Sequence, residues 1–277
     1  MSSNPYDLLV DYFDDIYPFD EYEKTMSSIK KEIEKSFPDN DIKLLDLGCG
    51  TGRSLRLFKS ERFKLIGLDN SSLMLEKAKR NLSDFEIDAR LINQDVIKLD
   101  SLGLEPQDCV TILGATIHHF DKDQRNKIIK AVYSILSKQG IFILDIAKHE
   151  EHTKFKEIFK KGCQNIYRII EPGISYLPTA EYNGCAILQF KKIIKRENKD
   201  IVIFYHYFYF KDYFRQIIYI IETENGQHKK TIYAPMTAYY IDKKTIFDEL
   251  KKAGFKVIKT IETDYRLTEF IMAKKSF

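Results

Sequence analysis

The chain is 277 residues long, with 44 Lys+Arg against 41 Asp+Glu for a formal net charge of +3, and 44% of its residues are hydrophobic. That suits one globular domain with a full core and room for an insertion, and so balanced a charge gives no basis for a large phosphate-binding footprint and does not nominate nucleic acid. Apolar runs such as Ile141 to Ile146 fall far short of the roughly 18 residues that cross a bilayer. The N-terminus has no basic-then-apolar leader. The four cysteines show neither metal nor disulfide-scaffold spacing. The expectation is a cytoplasmic protein with reduced core thiols, no metal site and no membrane partner.

Residues 5–36 place Leu8, Leu9, Tyr12, Phe13 and Ile16, then Met26, Ile29 and Ile33, at roughly helical spacing with a break near Pro18. This predicts a helical cap over residues 1–38. Ile42 to Leu47 then forms a short apolar run ending in glycines, as a buried parallel strand does. Helix 51–60, strand 63–69, helix 71–82, strands 88–94 and 108–114, helix 121–137 and strand 140–147 follow, with a further helix over 152–161. Such alternation predicts a mostly parallel, doubly wound α/β sheet. Residues 182–240 break the pattern with long β-prone runs, Ala186 to Ile194, Ile201 to Phe210 and Gln216 to Glu222, parted by turns at 197–200 and 224–227. Nine of the 17 tyrosines fall here, so the inserted meander carries much of the chain's aromatic surface. Helix 242–253 stops at Gly254, and strands 255–261 and 266–273 close the chain. The domain reading is a cap (1–38), a core (39–150 with 241–277) and an insertion (151–240).

Asp46-Leu47-Gly48-Cys49-Gly50-Thr51-Gly52 lies where a strand ends and a helix begins. Small residues there let a ligand approach the backbone, at the carboxyl edge where open α/β sheets bind ligands. Arg53 occupies the place where a dinucleotide loop has its third glycine, and no Gly-Lys-Ser/Thr follows, so dinucleotide and triphosphate readings lose ground. Asp69 ends the second strand, where a carboxylate accepts hydrogen bonds from both hydroxyls of a ribose. Asp95 follows the third strand and is suited to the exocyclic amine of adenine. Taken singly, either aspartate is equally a helix cap or turn former; the combination with the glycine loop favours the ligand.

With Leu44 to Gly52, Gly67 to Ala78, Asn93-Gln94-Asp95 and Phe247 to Phe255, the sequence resembles a class I S-adenosylmethionine-dependent methyltransferase over residues ~40–150 and ~240–275. The resemblance implies a Rossmann-like seven-stranded sheet and an S-adenosylmethionine site, with S-adenosylhomocysteine as product. On the family's pattern Asp46, Gly48 and Gly50 line the methionine part, Asp69 the ribose, and Met74 and Asp95 the adenine. Cys49, Asn70, Val96 and Gly114 belong to the same cofactor-binding set, as does Arg53, either near the cofactor's carboxylate or as a solvated helix residue.

Methyl transfer from a sulfonium asks the protein to hold the nucleophile near the methyl carbon, exclude water and remove a proton where needed. Ile117-His118-His119-Phe120, after the fourth strand, brings two histidines to that rim. One is suited to act as general base, and His119 resembles the histidine of amino-sugar N-methyltransferases in this place; packing or capping is the alternative. Tyr12 and Tyr17 match tyrosines that reach the cofactor or acceptor amine in amino-sugar and glycine-type enzymes, the alternative being helix packing. The inserted sheet resembles the lid of such enzymes, closing over a small acceptor and in relatives building a dimer. The leading expectation is therefore a small-molecule N-methyltransferase, without nucleic acid and possibly homodimeric. Two alternatives stand beside it. The His118-His119 segment also resembles that of tRNA wobble-uridine methyltransferases, and a non-catalytic cofactor-binding protein would carry the same motifs.

Overall fold

The computed structural model describes residues 4–38, 40–147, 174–178, 185–196, 198–210, 212–263 and 268–276. A 3-10 turn (Pro5–Leu8) precedes α1 (Phe13–Ile16), α2 (Phe19–Ser36), β1 (Ile42–Leu47), α3 (Arg53–Leu57), β2 (Phe63–Asp69), α4 (Ser72–Ser83) and β3 (Ala89–Asn93). A 3-10 segment (Val96–Leu102), β4 (Gln107–Ile112), a second one (Thr116–His119), α5 (Lys122–Ile135) and β5 (Leu136–Ala147) follow. Then come β6 (Ile174–Pro178), β7 (Cys185–Arg196), β8 (Lys199–Tyr209), β9 (Tyr213–Glu224), β10 (Gln227–Tyr239), α6 (Lys243–Lys252), β11 (Phe255–Glu262) and β12 (Thr268–Lys275). The chain divides into two compact units, Met1–Leu9 with His149–Tyr240, and Val10–Lys148 with Ile241–Phe277.

The second unit is a seven-stranded sheet in the order β11-β12-β5-β4-β1-β2-β3. β1 to β5 run parallel, while β12 lies antiparallel between β5 and β11. Alternate side chains feed the two faces. Leu45, Leu47, Val110 and Ile112 pack with Ile128, Ile129 and Val132 of α5 and Ile246 and Leu250 of α6. Ile42, Leu44, Leu65, Ile143 and Phe270 pack with Met26, Ile29 and Ile33 of α2, Leu55 of α3 and Leu82 of α4. Both faces are thus covered, which is why the strands read as continuous apolar runs.

Helix starts follow local chemistry. Ser71 caps α4 by accepting from the Met74 N–H, Asp121 and Gln124 form a reciprocal capping box at α5, and Asp242 accepts from the Thr245 N–H at α6. Gly254, at φ +97°, stops α6 where the sequence predicts. Two expectations change. The helix expected over 51–60 is only Arg53–Leu57, because Gly52 stays left-handed at φ +80° against Ala78 and Leu82 of α4. The first of the two N-terminal helices is a 3-10 turn plus the single turn of α1. The helix expected over 152–161 lies outside the described residues.

In the other unit, five strands form an antiparallel meander in the order β10-β9-β8-β7-β6. Asn225 and Gly226, both with positive φ, make the two-residue hairpin loop between β9 and β10, the geometry that Asn-Gly favours. Ile201, Ile203, Ile218, Ile220, Ile232 and Ala234 are buried there. Among the described residues no helix is long and apolar enough to cross a membrane.

Candidate active site

The carboxyl ends of β1, β2, β3, β4 and β5 converge on one edge of the seven-stranded sheet. After β1 the chain turns through Gly48, Gly50 and Gly52, all with left-handed φ. A Cβ on Gly48 would stand 2.7 Å from Thr116 Cγ2, so the loop and the post-β4 segment touch only because Gly48 is bare. The Gly48 and Cys49 N–H groups donate to the Leu68 carbonyl at 2.7 and 3.0 Å, tying the loop to β2. Cys49 is buried, and its Sγ lies 2.8 Å from where a Gly67 Cβ would stand, so its side chain faces the core.

Asp46, at the end of β1, is also turned inward. It is 1% exposed and accepts from Ser54 Oγ and, at 2.6 Å, from Thr111 Oγ1. Burial pushes its carboxyl up to about 6, against the pull of the two hydroxyls and of Arg53. Its role in this geometry is to brace the loop from beneath.

Asp69 faces the loop. Its Oδ2 accepts from the Gly50 N–H at 2.9 Å and its Oδ1 from the Ser71 N–H at 2.9 Å, which fixes the carboxylate between the glycine loop and α4. Asn70 is exposed beside it, and Met74 is buried on the first turn of α4. The Asp69 carbonyl accepts from the Gln94 N–H and from Asn93 Nδ2, drawing the end of β3 to the same edge. Asp95 caps the following 3-10 segment through Oδ1, which accepts from the Ile97 N–H at 2.9 Å, and Val96 behind it is buried.

Beyond β4 the backbone passes through two left-handed residues, Gly114 and Ala115. Both oxygens of Asp145, on β5, accept the Ala115 N–H at 3.0 Å. Burial pushes Asp145 up to about 7. Two residues further along β5, the Ala147 N–H donates to His118 Nε2 at 3.1 Å. His118 is therefore buried and committed to the backbone, whereas His119 is half-buried. Arg125 of α5 donates to the Phe120 carbonyl at 2.9 Å and forms a buried two-point pair with Glu249 of α6 at 2.8 and 3.1 Å.

The N-terminal segment lies against the loop. Tyr12 is buried at the start of α1. The Phe13 ring comes within 3.9 Å of a Cβ placed on Gly50 and packs on Tyr17 with centroids 4.8 Å apart. Arg53 Nη1 donates to the Tyr17 carbonyl at 3.2 Å, its guanidinium over the Tyr17 ring, and Nη2 reaches within 3.7 Å of a Cβ placed on Gly114. Asp145, Asp14 and Asn81, all close to this arrangement, have no role in the sequence-based expectation, and Thr51 enters it only as a member of the loop. Asp145 alone carried a signal, as a single acid in the apolar run Ile141 to Ile146. Among the described residues no three His, Cys, Asp or Glu side chains gather to hold a metal ion. A further cleft at the opposite edge of the sheet is bordered by paired charges, Lys43 with Glu105 and Lys59 with Glu86, and has no comparable loop.

Comparison with known proteins bears on this edge. The family model described as a methyltransferase domain matches residues 44–140. A carboxy-S-adenosyl-L-methionine synthase of Nautilia profundicola is 30% identical over 133 residues, 47% of this chain and 55% of that protein. The chain thus spans about half the length of the curated relatives it matches. Among solved structures, the sugar N-methyltransferase KedS8 of Streptoalloteichus sp. superposes with a TM-score of 0.68 at 15% identity over 96% of this chain and 91% of that one. S-adenosylmethionine-bound CalS10 of Micromonospora echinaspora, an amino pentose methyltransferase, superposes with a TM-score of 0.65 at 16% identity over 92% of each chain. The glycine loop and the strand ends around it lie within the stretch that matches the methyltransferase-domain model, and the solved structures share the fold.

Proposed function

We propose that the chain transfers the methyl group of S-adenosylmethionine to a small-molecule acceptor, at an amine nitrogen. The observation that carries this reading is the Asp69 carboxylate held between the Gly50 and Ser71 N–H groups above a bare glycine loop. The residues fit the cofactor. A carboxylate offers about four lone-pair sites, suited to a ribose diol, and Asp95 follows at the next strand end for an amine-bearing ring. The left-handed glycines open the backbone where the amino-acid portion approaches. S-adenosylmethionine supplies an electrophilic methyl group when bound.

The chain's own residues bind, orient and take a proton. Asp69, Asp95 and Met74 hold the nucleoside side, and Gly48, Gly50 and Gly114 give backbone access. Phe13 and Tyr17 exclude water above the loop. His119 takes the acceptor's proton, with His118 and Asp145 holding the segment that carries it. The amine acceptor is supported by the likeness to KedS8, a sugar N-methyltransferase, and CalS10, an amino pentose methyltransferase, which spans more than nine-tenths of this chain. On this reading the partner is a metabolite and not nucleic acid, and sedimentation tests the accompanying expectation of a homodimer through the inserted sheet.

A second reading follows from the curated relatives: the chain remodels the cofactor itself, as a carboxy-S-adenosyl-L-methionine synthase is named for doing. Incubating the chain with methyl-labelled S-adenosylmethionine and fractionated cell extract separates the readings. The proposal expects label in small amines together with S-adenosylhomocysteine. Label in tRNA or protein would overturn it, and a heavier sulfonium product without S-adenosylhomocysteine would favour the second reading.

A further inference from the structure

We propose that Asp14 is a positioning residue for the cofactor, fastening the N-terminal segment to the glycine loop and α4 so that Phe13 and Tyr17 stand over the loop. This rests on the loop being the S-adenosylmethionine site. Thr51, between Gly50 and Gly52, is fully buried and donates from Oγ1 to Asp14 Oδ1 at 2.6 Å. Asn81 Nδ2 donates to Asp14 Oδ2 and to the Thr51 carbonyl, both at 3.0 Å. Lys77 Nζ stands 3.9 Å from Asp14 Oδ2. One carboxylate therefore joins α1, the loop and α4, and the hydroxyl of Thr51 serves the N-terminal segment.

At the other end of α1, Arg53 holds the Tyr17 carbonyl. Two fasteners three residues apart leave the intervening turn little freedom, and they bring the Phe13 ring to Gly50. Met74, Lys77 and Asn81 recur at helical spacing on α4, so the helix that carries the adenine-side residue at its start also carries the fastening partners further along. Loss of Asp14 frees the cover over the loop without removing any group assigned to the cofactor. The entropy of ordering the segment then falls on the binding step.

The test is calorimetric titration of S-adenosylmethionine into the full chain and its variants, with the thermal midpoint of each ligand-free protein as the folding control. Asp14→Ala weakens binding about tenfold and Thr51→Val by less, and the double variant is no weaker than Asp14→Ala alone, because the Thr51 hydrogen bond is among the interactions that Asp14→Ala already removes. Asn81→Asp sets two carboxylates against each other and removes the donor to the Thr51 carbonyl, weakening binding further, and Asp14→Asn in that background restores the part lost to the repulsion, which a damaged fold would not allow. Wild-type affinity in Asp14→Ala, additive losses, or failure of that rescue would overturn the proposal. A wild-type chain that does not bind S-adenosylmethionine overturns the reading of the loop itself, and the two failures are told apart by that control.

Discussion

Asp46 and Asp145 are buried carboxyl groups at the strand ends, pushed by burial up to about 6 and about 7. Unfolded aspartates titrate near 3.9, so the folded chain holds these protons more tightly. The ligand-free fold therefore loses stability as pH rises from about 4 to about 7, and these groups add no further change above that. Arg53 opposes the shift in both, whereas the charge of Asp69 raises Asp46 and that of Asp46 raises Asp145. Asp145→Asn keeps an oxygen for the Ala115 N–H and removes the titration, so its thermal midpoint should fall less between pH 5 and 7.5 than that of wild type. Equal slopes would sink this account. Gly48→Ala meets both a φ of +72° and Thr116 Cγ2, and should cost about 1–3 kcal/mol in urea denaturation; Thr116→Ser in the same chain should return part of it by removing the methyl. Gly48 and Asp69 are recognisable in sequence because their roles are set by position along one strand end. The role of Asp145 is not, since the Ala115 N–H it serves is 30 residues away.

Elements here are placed by caps and by a few long-range pins. The Asn225-Gly226 turn, the Asp121 capping box and the Gly254 stop are local, and sequence locates the elements they bound to within a few residues. The link between α5 and α6 is of the other kind. Arg125 and Glu249 lie 124 residues apart, both about nineteen-twentieths buried, and Arg125 also holds the Phe120 carbonyl just after His119. Removing one partner strands a buried charge. Arg125→Met should therefore cost about 3–5 kcal/mol in chemical denaturation, whereas Arg125→Met with Glu249→Leu should recover most of that. If the double variant remains as unstable as the single, the ion pair itself, and not an uncompensated charge, sets the cost. Freed from Arg125, the His118-His119-Phe120 segment should also show a raised KM for the acceptor.

For the whole molecule, every group assigned to the cofactor belongs to the unit built from Val10–Lys148 and Ile241–Phe277. Hydrogen exchange on adding S-adenosylmethionine should slow at residues 46–53, 69–75 and 93–97 and leave the buried amides of Ile218 and Ile220 in β9 unchanged. Protection confined to β9 would place the ligand elsewhere. The sequence by itself determined the alternation of strands and helices, the inserted antiparallel meander, the glycine loop and the two strand-end aspartates, because each depends on periodicity, turn chemistry or spacing within one short segment. Tertiary structure alone decided that β12 enters antiparallel between β5 and β11, that His118 is spent on Ala147, that Cys49 and Asp46 turn inward, and that Asp14 closes on Thr51 and Asn81. Most of those choices are made by pairings between residues some 30 to 130 positions apart, where a hydrogen bond forms only after the sheet has brought the strand ends to one edge.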